Sequence, residues 1–88
     1  MENDNDNALL NKAETMSEGG KWEKILAINL LMDHFGTLPR EKSQEILLKL
    51  ARKNQPTDVR FHIAIKLLKG INIDNHTSEL LVDALWNG

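Results

Sequence analysis

Most apolar residues of this chain recur at spacings of three and four, the period of an amphipathic α-helix. No stretch of useful length alternates apolar and polar positions, so we predict an all-α fold. A short helix is expected at residues 8–16. The apolar clusters and the glycines and prolines between them predict four main helices, at residues 21–35, 39–53, 57–70 and 77–87.

The N-terminal segment differs from the rest of the chain. After Met1 it is polar and acidic, so residues 1–7 are predicted to form a disordered acidic tail. Residues 8–88 are then a single helical domain with one small core. We expect Gly19 and Gly20 to end the short first helix, and Gly36 to close the next helix in the left-handed conformation.

Two short segments of the sequence each occur a second time in similar form. Residues 26–31 (LAINLL) return as residues 63–68 (IAIKLL) at a longer offset of 37, and residues 45–51 (EILLKLA) return as residues 79–85 (ELLVDAL) at a shorter offset of 34. Self-similarity at such periods is typical of stacked helical repeats. We therefore expect Ala27 and Ala64 to occupy equivalent positions where helices cross closely.

Residues 39–70 contain the most complete repeat-like unit. Pro39 opens it, the leucine-rich segment 46–50 (ILLKL) and Asn54 follow, and Asp58-Val59-Arg60 precedes Ala64 and two leucines. This order resembles a HEAT repeat, which is a pair of antiparallel helices. The resemblance implies a small right-handed stack of such pairs, with partial units at residues 21–35 and 77–87. It also implies that Asp58 and Arg60 form a polar ladder between successive pairs. An unrelated bundle of four or five helices is the alternative.

The two tryptophans allow two interpretations. In the internal alignment Trp86 takes the place of Arg52, so a large apolar ring stands where a charge is expected. Val82 lies one turn earlier on the same side, and Trp22 begins the first main helix. Each tryptophan either fills the core or anchors an interface, where tryptophan is over-represented. An interface at Trp86 would allow a homodimer.

Charge is distributed unevenly, although the net charge is only −2. Residues 1–20 contain five acidic residues and one lysine, whereas residues 39–70 contain eight basic and three acidic residues. A solvated helical surface explains this pattern, and a site for an acidic partner is the alternative. The eight cations are Arg40, Lys42, Lys49, Arg52, Lys53, Arg60, Lys66 and Lys69.

Residues suited to catalysis or metal binding form no recognisable pattern. His34, His62 and His76 make no His-x-x-x-His or Glu-x-x-His pair, and the sequence has no cysteine and no phosphate-binding glycine loop. We therefore expect no enzymatic activity, no cofactor, no metal and no small-molecule substrate. The chain has no apolar leader and no apolar run of membrane length, so we expect a cytoplasmic protein.

These observations favour a non-catalytic protein–protein interaction module, such as an adaptor or regulatory subunit. Its partner is another protein, or a second copy of itself. Nucleic-acid binding by the basic stretch of residues 49–69 is the alternative, but the densely apolar helix there leaves few positions to contact bases. The candidate partner-binding residues are Trp86, Val82, Trp22, Lys49, Arg52 and Lys53.

Overall fold

All the regular secondary structure in the described part of the chain is helical. A computed structural model describes residues 4–70 and 73–87, and these residues form five α-helices and no strand. The all-α prediction and the number of helices are confirmed for this part of the chain. The helices are α1 (Asp4–Ser17), α2 (Lys21–Asp33), α3 (Arg40–Ala51), α4 (Thr57–Leu68) and α5 (Asn75–Asn87).

Helix α1 begins earlier than the sequence pattern predicts. The prediction of a disordered tail at residues 1–7 is wrong for residues 4–7, which form the first turn of α1, whereas residues 1–3 lie outside the described residues. Apolar periodicity marks only the positions that a helix buries, so a polar first turn gives no signal of this kind. The apolar pattern therefore underestimates the length of α1.

Local hydrogen bonds define where two of the helices begin. The Glu23 carboxylate accepts the N–H of Gly20 at 2.9 Å, just before α2. Before α5, the Asp74 carboxylate accepts the N–H of Thr77 at 3.3 Å and the Thr77 hydroxyl at 2.6 Å. These hydrogen bonds, the side-chain one foremost, hold the pKa of Asp74 below its ordinary value.

The expected left-handed closure of α2 by Gly36 is wrong. Instead, the chain turns after α2 through hydrogen bonds from the N–H groups of Thr37 and Leu38 to the His34 carbonyl, each at 3.0 Å. Among the described residues, positive φ occurs at Gly70, where it is 71° just after α4. Glycine adopts this conformation without the steric cost that a Cβ imposes.

The helices pack in order along the chain. Each helix contacts its sequence neighbour and the helix after that, and α3 contacts all four others. Helices α1, α3 and α5 thus form one row, and α2 and α4 form a second row against it. One continuous core contains apolar side chains from every helix, with Ala13, Leu31, Leu47, Ile63 and Leu81 fully buried.

The internal repeat with the shorter offset corresponds to matching positions in α3 and α5. At this offset Ser43 is paired with Thr77 and Leu47 with Leu81, and all four residues are fully buried. The exposed positions also coincide, since Arg52 and Trp86 both face solvent. Helices α3 and α5 therefore present equivalent faces to the core.

The internal repeat with the longer offset does not correspond to matching positions. It pairs fully buried Leu31 with Leu68, which is 87% exposed, and fully buried Ile63 with Leu26, which is 54% exposed. A corrected offset of 35 improves the match, because Ile28 and Ile63 are then both buried and Leu26 and Phe61 are both exposed. A shift of two positions corresponds to a rotation of about 200° around a helix. The residues of α2 and α4 that match in sequence therefore lie on opposite faces of the two helices.

The expected equivalence of Ala27 and Ala64 is consequently wrong. Ala27 is fully buried in α2, whereas Ala64 is half-buried and lines an open groove. At the corrected offset Ala64 corresponds to Asn29. The sequence offset between equivalent positions of α2 and α4 is then 35 residues, close to the offset of 34 between α3 and α5.

Candidate functional site

The most distinctive surface of the molecule is an apolar groove between α4 and α5. We call it the α4–α5 groove, and its volume is about 270 Å³. Leu68 and Trp86 at its edges are 87% and 86% exposed, and Val82 is 52% exposed. Large apolar side chains grouped in this way are unusual on a surface facing water. The residues that line the groove are Ala64, Leu67, Leu68, Val82, Leu85 and Trp86.

Arg60 connects the helices beneath this groove. Its Nη2 donates to the carbonyl of Leu85 at 2.7 Å, and its Nε donates to the carbonyl of Ala51 at 3.1 Å. Ala51 and Leu85 are equivalent positions at the shorter offset, near the C-terminal ends of α3 and α5. One side chain of α4 therefore joins the ends of two equivalent helices, where backbone carbonyls lack partners within their own helix.

Asp58, the other predicted ladder residue, contacts a different helix. Its carboxylate lies 2.9 Å from the ammonium of Lys21 at the start of α2, and both side chains are partly exposed. Such a surface ion pair contributes about 0–1 kcal/mol. Asp58 thus links α4 to α2, whereas Arg60 links α4 to α3 and α5.

The equivalent groove between α2 and α3 is occupied by α4. Asn29, the counterpart of Ala64, has its Oδ1 2.7 Å from Nε2 of His62 in α4. Ala51, the counterpart of Leu85, accepts a hydrogen bond from Arg60 of α4. Met32, the counterpart of Leu67, is buried. The α2–α3 groove is therefore covered by a helix, whereas the equivalent α4–α5 groove is open.

Two apolar residues of the α4–α5 groove replace charged residues at the equivalent positions of α2 and α3. Asp33 corresponds to Leu68 at the corrected offset, and Arg52 corresponds to Trp86 at the shorter one. All four side chains are exposed. Leu68 and Trp86 line the open groove, whereas Arg52 borders a cleft between α1 and α3. The sequence pattern identified Trp86 and Val82, but it missed Leu68, because the longer offset pairs Leu68 with a buried leucine.

Acidic residues flank the α5 side of the α4–α5 groove. Glu79 and Asp83 lie beside Val82 and Trp86 in a shallow depression along α5. The Asp83 carboxylate accepts a hydrogen bond from the Asn87 amide at 2.8 Å. Helix α5 contains no lysine or arginine, so these two carboxylates have no such basic side chain on their own helix.

Trp22 belongs to a separate surface. It is 70% exposed at the start of α2, and the Lys21 ammonium lies 5.0 Å from its ring centroid, within range of a cation–π contact. Leu26 and Phe61, which are equivalent at the corrected offset, are also exposed. Neither tryptophan therefore fills the core, which was one of the two interpretations of the sequence. Within the described helices α2 and α5 are not in contact, so Trp22 and Trp86 are not brought together.

Several basic residues of the sequence have partners in the fold. Lys49 lies 3.6 Å from the Glu18 carboxylate, and Lys42 lies 3.4 Å from that of Glu14. The acidic N-terminal part thus neutralises part of α3 across the contact between α1 and α3. Lys49 and Arg52 border a cleft on that side, Lys53 is exposed after α3, and Arg60 is engaged with backbone carbonyls.

His62 lies at the contact between α4 and α2. Its Nε2 is within 2.7 Å of the Asn29 amide oxygen. Partial burial, assisted by the positive charges of Lys66 and Lys69, holds the pKa of His62 below its ordinary value of 6.5. The neutral imidazole is therefore the form that the fold favours.

Within residues 4–70 and 73–87, no group of three or more histidine, aspartate or glutamate side chains is placed to hold a metal ion. None of the five helices has the length and apolar character needed to cross a membrane.

Comparisons with known proteins provide no relative from which to transfer a function. No protein-family model, no curated protein and no solved structure matches this chain. The resemblance to HEAT repeats therefore rests on the residues of this chain alone.

Proposed function

We propose that this chain is a non-catalytic protein-interaction module and that the α4–α5 groove is its binding surface. The observation that carries the proposal is the exposure of Leu68, Val82 and Trp86 around a single apolar groove. Removing apolar surface from water is favourable by about 25 cal/mol per Å². A partner that covers these side chains gains this free energy, and tryptophan is a frequent anchor in such contacts.

The packing order of the helices supports a HEAT-like stack as the scaffold. In this proposal α1 with α2 and α3 with α4 form successive antiparallel pairs, and α5 is the first helix of a further pair. Each pair in such a stack buries its apolar face against the next one. Among the described residues no helix covers the α4–α5 groove in the way that α4 covers the α2–α3 groove.

The distribution of charge favours a protein over a nucleic acid as the partner. Phosphate binding requires several cations on one face. Here Lys49 is paired with Glu18, and Arg60 is engaged with helix-end carbonyls. The groove itself is bordered on α5 by the carboxylates of Glu79 and Asp83, which repel phosphate.

A peptide-display selection tests this function. A library of random linear and cyclised peptides is selected on the wild-type protein, and the affinities of recovered peptides are then measured for the wild type and for variants. Val82→Asp places a charge inside the groove and should weaken binding at least tenfold. Thr15→Asp, the matched control, places a charge at an exposed position of α1 and should leave affinity unchanged.

Circular dichroism establishes that both variants are folded, which is expected because both positions are exposed. Trp86→Ala provides a second, milder disruption of the same groove. Recovery of no specific peptide, or of peptides that bind the Val82→Asp and Trp86→Ala proteins as well as wild type, would show that the groove is not a protein-binding surface.

A further inference from the structure

We infer that the occupant of the α4–α5 groove is an amphipathic helix of another protein, basic along one edge and parallel to α4. This inference rests on the proposed function and specifies its partner. It is based on a comparison of two grooves within the molecule. The equivalent groove between α2 and α3 is filled by α4.

The way α4 occupies its own groove defines the expected geometry. The start of α4 is near the start of α2, as Lys21 and Asp58 show, and His62 meets Asn29 farther along both helices. Helices α2 and α4 therefore run in the same direction. Val59 and Ile63, one turn apart on α4, are fully buried. A helix in the α4–α5 groove would run parallel to α4 and insert a similar aliphatic stripe.

The border of the open groove indicates that its occupant is more apolar in its contacts than α4. At the positions equivalent to the charged residues Asp33 and Arg52, the open groove has Leu68 and Trp86. The stripe of the occupant must therefore be wide enough to reach both edges. Anchors at positions i, i+3, i+4 and i+7 of a helix form a stripe of this kind.

Charge indicates the polar edge of the occupant. Glu79 and Asp83 are exposed on α5 beside the groove, and α5 carries no lysine or arginine. Lysines or arginines on the neighbouring edge of a bound helix would face these carboxylates. Helix α4, which fills the equivalent groove, is itself basic, with Arg60 and Lys66 against Asp58.

A second copy of this chain fits the groove poorly. In a two-fold dimer built on α5, the Glu79 and Asp83 carboxylates of both copies would approach one another, and like charges repel. In a head-to-tail arrangement the groove would meet α1 of the next copy. The exposed positions of α1 after Ala8 are polar, namely Asn11, Lys12 and Thr15, and cannot fill an apolar groove.

Designed peptides test the inference directly. The first probe is an alanine-based peptide of about 18 residues, a length at which such peptides form helices in water. It carries leucines at i, i+3, i+4 and i+7 and lysines along one edge. The second probe has the same composition, but its leucines are scattered around the helix. The third replaces the lysines by glutamates. The reporter is the fluorescence of Trp86 in the Trp22→Phe protein, because Trp86 should move from water into an apolar contact.

The expected result is a blue shift of Trp86 emission that saturates with the first peptide. The scattered and glutamate peptides should each bind at least tenfold more weakly, and Val82→Asp should reduce binding of the first peptide by at least tenfold. Higher salt should narrow the difference between the lysine and glutamate peptides. The molecular mass of the wild-type protein should remain that of a monomer across the concentration range used.

Three outcomes would overturn the inference. Equal binding of the scattered peptide would show that the groove does not select a helix. A Trp86-dependent dimer of the wild-type protein would assign the groove to a second copy. Absence of binding by the lysine helix would also reject it. The display selection separates these outcomes from a failure of the proposed function, since peptides of other conformations that still require Val82 would leave that function standing.

Discussion

At the scale of single residues, the space around a side chain determines the cost of enlarging it. Ala27 is fully buried in α2, whereas Ala64 lines the open α4–α5 groove. Ala27→Leu should therefore overpack the core and lower the free energy of unfolding by about 1–3 kcal/mol. Ala64→Leu should change it by less than about 0.5 kcal/mol, as is usual for surface positions. Urea unfolding of both variants measures the difference, and equal destabilisation would contradict it.

His62 makes stability depend on pH in a defined direction. Its pKa is lowered in the fold by partial burial and by Lys66 and Lys69, so protonation favours the unfolded chain, where the pKa is near 6.5. The contribution of neutral His62 to the free energy of unfolding is fully present above pH 6.5. It decreases as the pH falls from there through the lower pKa of the folded state.

The variant His62→Gln isolates this effect. Glutamine can still hydrogen-bond to Asn29 but cannot be protonated. As the pH falls below 6.5, the free energy of unfolding of the wild-type protein should decrease more steeply than that of the variant. Parallel curves for the two proteins, from urea unfolding at a series of pH values, would show that His62 does not titrate differently in the two states.

At the scale of helices, Arg60 is the residue that couples the ends of α3 and α5. Arg60→Met keeps most of the aliphatic stem but removes the donors to the Ala51 and Leu85 carbonyls. Hydrogen bonds to charged groups contribute about 1.5–3 kcal/mol, so we expect a loss of stability in this range. Lys53→Met, at an exposed position just after α3, is the matched control. Equal effects of the two substitutions in thermal unfolding would refute the coupling.

The helices differ in how well the sequence defines their orientation. Helix α3 has distinct apolar and charged faces, as Ile46, Leu47 and Lys49 illustrate, so its buried face and its equivalence with α5 could be predicted. Residues 25–32 of α2 are apolar nearly all round, so letters alone do not show which side meets the core. The longer offset aligns similar residues of α2 and α4, whereas the corrected offset aligns positions of similar burial. Contacts with other helices, which the local pattern does not contain, decide the orientation.

At the scale of the whole molecule, the two ends of the row of helices have opposite character. Helix α1 presents polar residues such as Asn11 and Thr15 to solvent, whereas α4 and α5 present Leu68 and Trp86. The sequence indicated Trp86 and Val82 because an apolar ring replaced a charge. It could not indicate the groove, which requires knowing that α4 and α5 pack side by side with Leu68 and Val82 lining the same groove.

The packing order also bears on how the chain reaches this structure. Because each described helix contacts only helices one or two places away along the chain, the native contacts are short in sequence separation. Folding rates rise as this separation falls, since short loops cost little entropy to close. The helices can therefore dock one after another in the order in which a ribosome releases them. In this order Arg60 bonds to the Ala51 carbonyl when α4 docks, and to the Leu85 carbonyl when α5 docks.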